Sequence, residues 1–228
     1  MSRRCRAAVT VLVVVLAGCA ARHRAAPPPT PEDMSGFLDD YALLREGGPD
    51  EVSLVYRNPD ARWTSYDKVL LEPVSIWRSG RRSLAAIPER DLLRLASDLY
   101  TAVKTHLGEG FTLVKEPGPG VIRIRLAITN ARASDPILDV YTADQRASLS
   151  APPPDGPIAP ETRRLLEGAV IEGELRDAAT DELLAQGVER RRTTGSLEHL
   201  TWAELDRIFD FWADQVTGRL ERRTGRRP

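Results

Sequence analysis

The chain has 228 residues, and its 32 lysines and arginines against 33 aspartates and glutamates leave a formal charge of −1 at pH 7. A near-neutral chain lacks the basic footprint of nucleic-acid-binding proteins, so we expect no nucleic-acid partner. The two cysteines, Cys5 and Cys19, exclude a disulfide-rich scaffold. The length suits about one domain that depends on its apolar core.

The N-terminus has the pattern of a secretory signal. Residues 1–6 carry three arginines and no acid, and residues 7–17 form an unbroken apolar and small-residue run. At about 1.5 Å per residue this run is too short to cross the ~30 Å hydrocarbon core of a bilayer. Leu16-Ala17-Gly18-Cys19 then resembles the bacterial lipobox. This resemblance implies cleavage between Gly18 and Cys19 and acylation of Cys19; the alternative is an ordinary secretory signal with an incidental cysteine.

An acylated Cys19 would make membrane lipid a partner of the chain. One acyl chain anchors weakly and two or more anchor stably, because each buried methylene contributes about 0.8 kcal/mol. Ala20 follows the cysteine, where lipoproteins retained in the inner membrane of enteric-type bacteria carry aspartate. We therefore expect the protein to be located in the bacterial cell envelope, anchored to the periplasmic face of the outer membrane. Residues 1–18 are predicted as the removed signal peptide and 19–34 as the lipidated cysteine and a flexible Ala/Pro-rich tether.

The folded part is predicted to span residues 35–222. Residues 37–44 have a short, roughly helical apolar pattern, and a loop follows to Pro59. Residues 66–77 are predicted as one buried strand, with Pro73 marking its end or a bulge. Between Pro88 and Gly108, apolar residues recur at three- and four-residue spacing, which predicts a helix that ends before Gly108.

The second half is predicted to be mostly strand. Residues 111–115 form a short strand, and residues 122–129 alternate apolar and polar side chains, as in a strand with one face on the core. Residues 132–168 contain many prolines and are predicted as an irregular insertion, with a short helix at 161–166.

A hairpin is predicted over residues 169–194. Glu172 and Glu174 are expected on its polar face, opposite Arg190 and Arg192.

The chain is predicted to end in a helix and a short tail. Thr201 and Glu204 have capping-box spacing, and an apolar face follows them. Residues 223–228 are predicted as the tail. The element order β-α-β-β-β-β-α predicts a single α+β domain, with a mostly antiparallel sheet and two main helices on one side.

Three stretches resemble a known family. They are SGFLDDY, YDKVLLEPVSIW and the hairpin ELRDAATDELLAQGVERR, which precedes a tryptophan-containing helix. They are similar to the bacterial lipoproteins grouped as domain of unknown function 3313, from about Ser35 to about Leu220. The resemblance implies an envelope lipoprotein of unknown role with a small α/β domain. It implies no catalytic residues.

Motifs for catalysis, metal binding and phosphate binding are absent from the sequence. His106 and His199 are the histidines of the predicted domain, and no H-E-x-x-H, paired-cysteine, G-x-S-x-G or S-x-x-K pattern occurs. In Gly118-Pro119-Gly120, proline removes an N–H that a phosphate-cradling loop would need. We therefore expect no metal site, no cofactor and no catalytic residue, hence a non-enzymatic protein.

Exposed aromatic residues offer a lead to a protein partner. Trp202 and Phe211 fall off the apolar stripe of the last helix, near Arg207, and together could form a docking patch. The main hypothesis is thus an anchored protein-interaction or structural module, with an envelope protein as partner. Two alternatives stay open. One is an envelope hydrolase with a site assembled near the loops at 44–64 or 132–168; the other is a carrier of an apolar ligand between sheet and helices.

Overall fold

The computed structural model describes residues 34–79, 87–130, 136–140, 156–190 and 199–226. The strands are β1 (Arg45–Glu46), β2 (Leu54–Arg57), β3 (Lys68–Leu71), β4 (Ser75–Ser79), β5 (Thr112–Leu113), β6 (Val121–Asn130), β7 (Pro136–Val140), β8 (Ala169–Asp177) and β9 (Leu183–Arg190). The helices are α1 (Glu89–Gly110), α2 (Pro160–Glu167) and α3 (Trp202–Arg223), and short 3-10 turns lie at Tyr41–Leu43 and Trp63–Ser65. Gly18, Cys19 and most of the predicted tether lie outside the described residues.

The described strands form one mixed sheet. Its order is β1-β2-β9-β8-β6-β3-β5, and β4 pairs with both β6 and β7. β3 and β4 follow one another along the same edge of β6 and run parallel to it, and β5 runs parallel to β3. The remaining pairs are antiparallel. The predicted α+β class with a mostly antiparallel sheet is confirmed.

Three strand predictions need correction. The single strand predicted over residues 66–77 is two strands, β3 and β4, separated at Pro73, because proline cannot donate to the ladder. β1 and β2 lie in the stretch predicted as a loop, and they are too short for a period-2 pattern to reveal them. β7 lies within the predicted irregular insertion, whereas the short helix predicted there corresponds to α2.

The two long helices form where the sequence predicts them. α1 runs three residues beyond the predicted end at Leu107, because the chain leaves the helix through an extended Phe111 rather than a left-handed glycine. The capping box of Thr201 and Glu204 is present at the start of α3. The structure describes the predicted tail as far as Arg226, which donates hydrogen bonds to the carbonyl oxygens of Gly110 and Tyr66, at 3.0 and 2.9 Å.

The main core lies between one face of the sheet and the helices. The apolar residues of β6 point towards this side, and Leu95 and Leu99 of α1 and Phe209 and Trp212 of α3 pack against them. The alternation predicted for β6 therefore places the correct residues, Ile122, Ile124, Leu126 and Ile128, in the core.

The opposite face of the sheet is covered by the N-terminal strap, residues 34–44. Its Phe37, Leu38 and Tyr41 form a second apolar cluster on β6, β8 and β9. Glu172 and Glu174 lie beneath the strap and are fully buried. The expectation that these acids face Arg190 and Arg192 across the hairpin is wrong. Glu172 lies opposite Val188, and Glu174 lies opposite Gln186. Arg192 lies outside the described residues.

The two buried acids have different partners. Glu172 accepts hydrogen bonds from the Tyr41 hydroxyl and, at 2.8 Å, from the Thr129 hydroxyl. Glu174 pairs with the guanidinium groups of Arg125 and Arg176. These contacts meet the requirement that buried charges be hydrogen-bonded or paired, and they attach the strap to the sheet.

Candidate functional site

The face of α3 that meets the sheet changes character along the helix. Trp212 and Val216 are followed by Arg219 and Arg223 at spacings of four, three and four residues, which places all four on one side. The first two pack on the main core. The last two lie where the helix reaches the edge strands β1 and β2, so the apolar face ends in a basic one.

Edge strands β1 and β2 bring two further arginines to the same place. Arg45 lies opposite Val55 in the ladder, and Arg57 lies two residues beyond Val55, so the three residues point to one face. That face is the helix side, because Val55 lines a pocket with residues of α3. The connecting loop places Glu51 among these arginines, with the Gly48 backbone N–H donating to its Oε2 at 3.0 Å.

Three arginines converge on the Glu51 carboxylate. Arg45 Nη1 lies 3.1 Å from Oε2, Arg223 Nη2 lies 3.8 Å from Oε1, and Arg57 also pairs with Oε1. The open cleft around Arg45, Arg57 and Arg223 has a volume of about 540 Å³ and includes Tyr56 and Trp63. We call it the arginine cleft.

The charges in the arginine cleft are unbalanced. Burial opposes ionisation of Glu51, but hydrogen bonds from Gly48 and Arg45 outweigh it and lower the pKa of the carboxyl. Burial lowers the pKa of Arg223, and the neighbouring positive charge of Arg57 lowers it further. Arginine nevertheless stays protonated at neutral pH. One carboxylate therefore faces three guanidinium groups, and the excess is positive.

An apolar pocket of about 100 Å³ adjoins the cleft and shares Val55 and Arg223 with it. Gly173 and Gly187 are cross-strand partners on its wall. A Cβ on Gly187 would lie 2.7 Å from Val52 Cγ2, so the missing side chain permits the close approach that shapes the wall.

A second pocket continues along α3. It has a volume of about 70 Å³ and shares Ile171, Glu189 and Trp212 with the first pocket. Together they form the apolar pockets between the sheet and the last helix. The alternative hypothesis of an apolar-ligand carrier requires such a space, although the sequence contains enough large side chains to fill a core.

Two polar atoms on the pocket wall have no partner among the described residues. Trp212 Nε1 and Thr217 Oγ1 are buried and make no hydrogen bond to that part of the chain, and both residues line the larger pocket. An unsatisfied buried donor costs roughly 1–3 kcal/mol. These groups are therefore available to bond to a molecule inside the pocket.

The predicted docking patch of Trp202, Phe211 and Arg207 is not assembled. Trp202 is buried, with 1% of its surface exposed, and the Arg94 guanidinium stacks 4.5 Å from the centre of its ring. It is buried because the first turn of α3 packs on α1. Phe211 is 57% exposed and Arg207 is also exposed, as expected.

The described ranges contain neither a cluster of metal ligands nor a membrane-spanning helix. There, no group of three or more His, Cys, Asp or Glu side chains is placed to hold a metal ion. His106 Nε2 lies 2.9 Å from Asp210 Oδ1 and so links α1 to α3. Within the same ranges, no helix is both long enough and apolar enough to cross a bilayer.

Sequence reasoning named the stretch 44–64 only as a place for a hydrolase site, and it named none of the arginines of the cleft. Its side chains come from the stretch predicted as a loop, which supplies Arg45, Glu51 and Arg57, and from Arg223 at the boundary of the predicted tail. The four-residue spacing of Arg219 and Arg223 on an otherwise apolar helix face is the signal that could have indicated it.

Comparison with known proteins places the chain in a family. A family model described as a protein of unknown function (DUF3313) matches residues 33–216. The chain therefore belongs to that family, as its resemblance predicts. No curated protein and no solved structure matches significantly.

Proposed function

We propose that this DUF3313 protein is an envelope lipoprotein whose domain binds an anionic ligand in the arginine cleft without altering it chemically. The anchor would be acylated Cys19, at the periplasmic face of the outer membrane. Its support is the position of Leu16-Ala17-Gly18-Cys19 directly after an apolar run of signal-peptide length. The tether would then hold the cleft near the membrane surface.

The observation that carries the proposal is the convergence of Arg45, Arg57 and Arg223 on one carboxylate in an open cleft. Guanidinium groups present planar, charged donors that match carboxylate and phosphate oxygens. Glu51 already occupies one such position and shows that the arrangement accepts an acid. The remaining positive charge favours the binding of a second acidic group, from a ligand.

The same side chains argue for binding rather than hydrolysis. Arginine does not give up its proton near neutral pH, so it cannot serve as a general base. Glu51 has a lowered pKa and is held by its arginine partners, which makes it a weak base. Fixed positive charge is suited to holding an acid.

Thermal unfolding with inorganic phosphate tests the proposal. The protein is the chain from residue 19 onward with Cys19→Ser, compared with the Arg57→Gln/Arg223→Gln double variant. Arg164→Gln is the matched control, because Arg164 is exposed on α2 and pairs there with Glu161. Sodium chloride at equal ionic strength corrects for screening.

Phosphate should raise the melting temperature of the parent and of Arg164→Gln, because a ligand that binds the folded state stabilises it by mass action. The double variant should lose that shift. Glu51→Gln should increase it, because removing the internal acid leaves three arginines for the ligand. Equal shifts in the parent and the double variant, or none beyond that of chloride, would refute the proposal.

A protein partner is a second candidate, favoured by the exposure of Phe211 beside Arg207 on α3. A photo-cross-linking residue at position 211, tested in living cells, should capture one discrete envelope protein. The same residue at Glu204, also exposed on this helix, is the control. Equal products from both positions would contradict a specific contact at Phe211.

A further inference from the structure

The arginine cleft and the larger apolar pocket lie side by side. Val55 and Arg223 line both, and Glu51 and Arg219 also line the pocket. A molecule with its acid group among the arginines could therefore extend an apolar part between the sheet and α3. Inorganic phosphate would occupy the arginine cleft alone and leave the apolar pocket empty.

The pocket is suited to a slender apolar group. Its volume of about 100 Å³ is below that of the ~150 Å³ engineered cavity, in another protein, that accepts benzene. The second pocket, which shares Trp212, continues the space along α3. The two pockets together are about as large as that cavity, so they hold part of one acyl chain and leave no room for a second one.

Charge sets the direction in which such a molecule would lie. The second pocket is lined mainly by apolar side chains, whereas the arginines lie at the cleft. An anionic head would be attracted by Arg57 and Arg223 and would lose its hydration in the apolar pockets. Trp212 Nε1 and Thr217 Oγ1 on the wall of the larger pocket have no hydrogen-bond partner among the described residues.

We infer that the ligand is an anionic amphiphile with a single acyl chain, its acid group on the arginines and its chain in the apolar pockets. The inference rests on the proposed anion-binding function and adds the apolar half of the ligand. The arginine cleft and the apolar pockets would thus bind a lipid-like molecule, a role that the family description does not include.

Titration calorimetry with a series of probes tests the inference. The probes are inorganic phosphate, dodecyl phosphate below its micelle concentration, and the uncharged dodecyl maltoside. The protein is again the chain from residue 19 with Cys19→Ser. Dodecyl phosphate should bind one per chain and at least 100-fold more tightly than inorganic phosphate, whereas dodecyl maltoside should bind at least 10-fold more weakly than dodecyl phosphate.

Variants at one pocket position separate the chain from the head group. Val216 lines the larger pocket, so Val216→Phe should remove the advantage of dodecyl phosphate and leave phosphate binding unchanged. Val216→Ala, which enlarges the pocket, should keep that advantage and controls for a structural effect. Arg57→Gln/Arg223→Gln should weaken both probes at least 10-fold, and a melting curve verifies that each variant is folded.

Each failure has its own meaning. Equal affinity for phosphate and dodecyl phosphate overturns the inference and leaves the proposed function standing, whereas binding of neither probe overturns both. Tight dodecyl phosphate binding that survives in Val216→Phe and in the arginine variant is adsorption elsewhere and also overturns the inference. Binding to vesicles containing phosphatidylglycerol, without binding of free dodecyl phosphate, would assign the arginines to a membrane surface instead and overturn it too.

Discussion

Tyr41→Phe tests how the N-terminal strap is held to the sheet. The substitution removes a hydroxyl that donates to Glu172 Oε2 and keeps the ring that packs in the second apolar cluster. Glu172 is fully buried, and Thr129 Oγ1 donates to its other oxygen. The variant therefore leaves one oxygen of a buried carboxylate without its tyrosine donor.

The size of the effect follows from the contacts. A hydrogen bond to a charged group contributes about 1.5–3 kcal/mol, and an unsatisfied buried group costs about 1–3 kcal/mol. The same hydroxyl lies 3.0 Å from Ser35 Oγ and accepts a hydrogen bond from the Gly36 N–H at 3.2 Å. We expect Tyr41→Phe to lower the free energy of unfolding by about 3 kcal/mol.

Urea unfolding at pH 7 gives the measurement, within a double-mutant cycle with Glu172→Gln. In the Glu172→Gln background, Tyr41→Phe should lower the free energy of unfolding by at least about 1 kcal/mol less than in the wild type. The reason is that the substitution then removes a hydrogen bond to a neutral amide instead of one to a charged carboxylate. A loss below about 0.5 kcal/mol in the wild-type background, or equal losses in both backgrounds, would refute the argued role of this contact.

Three further predictions concern other features of the chain. Burial, with the nearby charge of Glu172, raises the pKa of Tyr41 to about 12. Between pH 10 and 12 the folded protein therefore keeps the hydroxyl proton that the unfolded chain releases. The free energy of unfolding, measured in urea, should fall as the pH rises through this range, and it should fall less in Tyr41→Phe. Thr201→Ala should cost about 1 kcal/mol in urea unfolding through loss of the capping box, and a cost near zero would mean that the cap is dispensable. Intact mass of protein purified from membranes should show acyl groups on Cys19 and none in Cys19→Ser; an unmodified Cys19 would contradict the anchor.

Local sequence signals predict a large part of this fold. The capping box at Thr201 and Glu204 and the alternation from Ile122 to Ile128 describe interactions between residues close in sequence, and both occur as predicted. Helix α1 is also predicted, apart from its last three residues.

Features that depend on distant residues could not be predicted in this way. Glu172 and Glu174 alternate with apolar residues, a pattern typical of a solvent-exposed face, and the strap that buries them lies more than a hundred residues earlier. Trp202 is likewise off the apolar stripe of α3 but is buried against α1, with Arg94 stacked on its ring.

The arginine cleft also depends on residues that are distant in sequence. Arg57 and Arg223 both contact Glu51 in the folded chain, but they come from an edge strand and from the end of the last helix. Only the order of strands in the sheet brings them together. The charge balance of the whole sequence, −1 at pH 7, hides this local excess of positive charge.

Native mass spectrometry of the protein purified from cell membranes in a neutral detergent tests whether the arginine cleft holds a ligand from the cell. We expect one bound molecule per chain that carries a phosphate or carboxylate group and a single acyl chain. Arg57→Gln/Arg223→Gln should lose this molecule, and Arg164→Gln should retain it. A parent protein without the added mass, or the same mass retained in the double variant, would contradict the claim that the arginine cleft binds an anionic ligand.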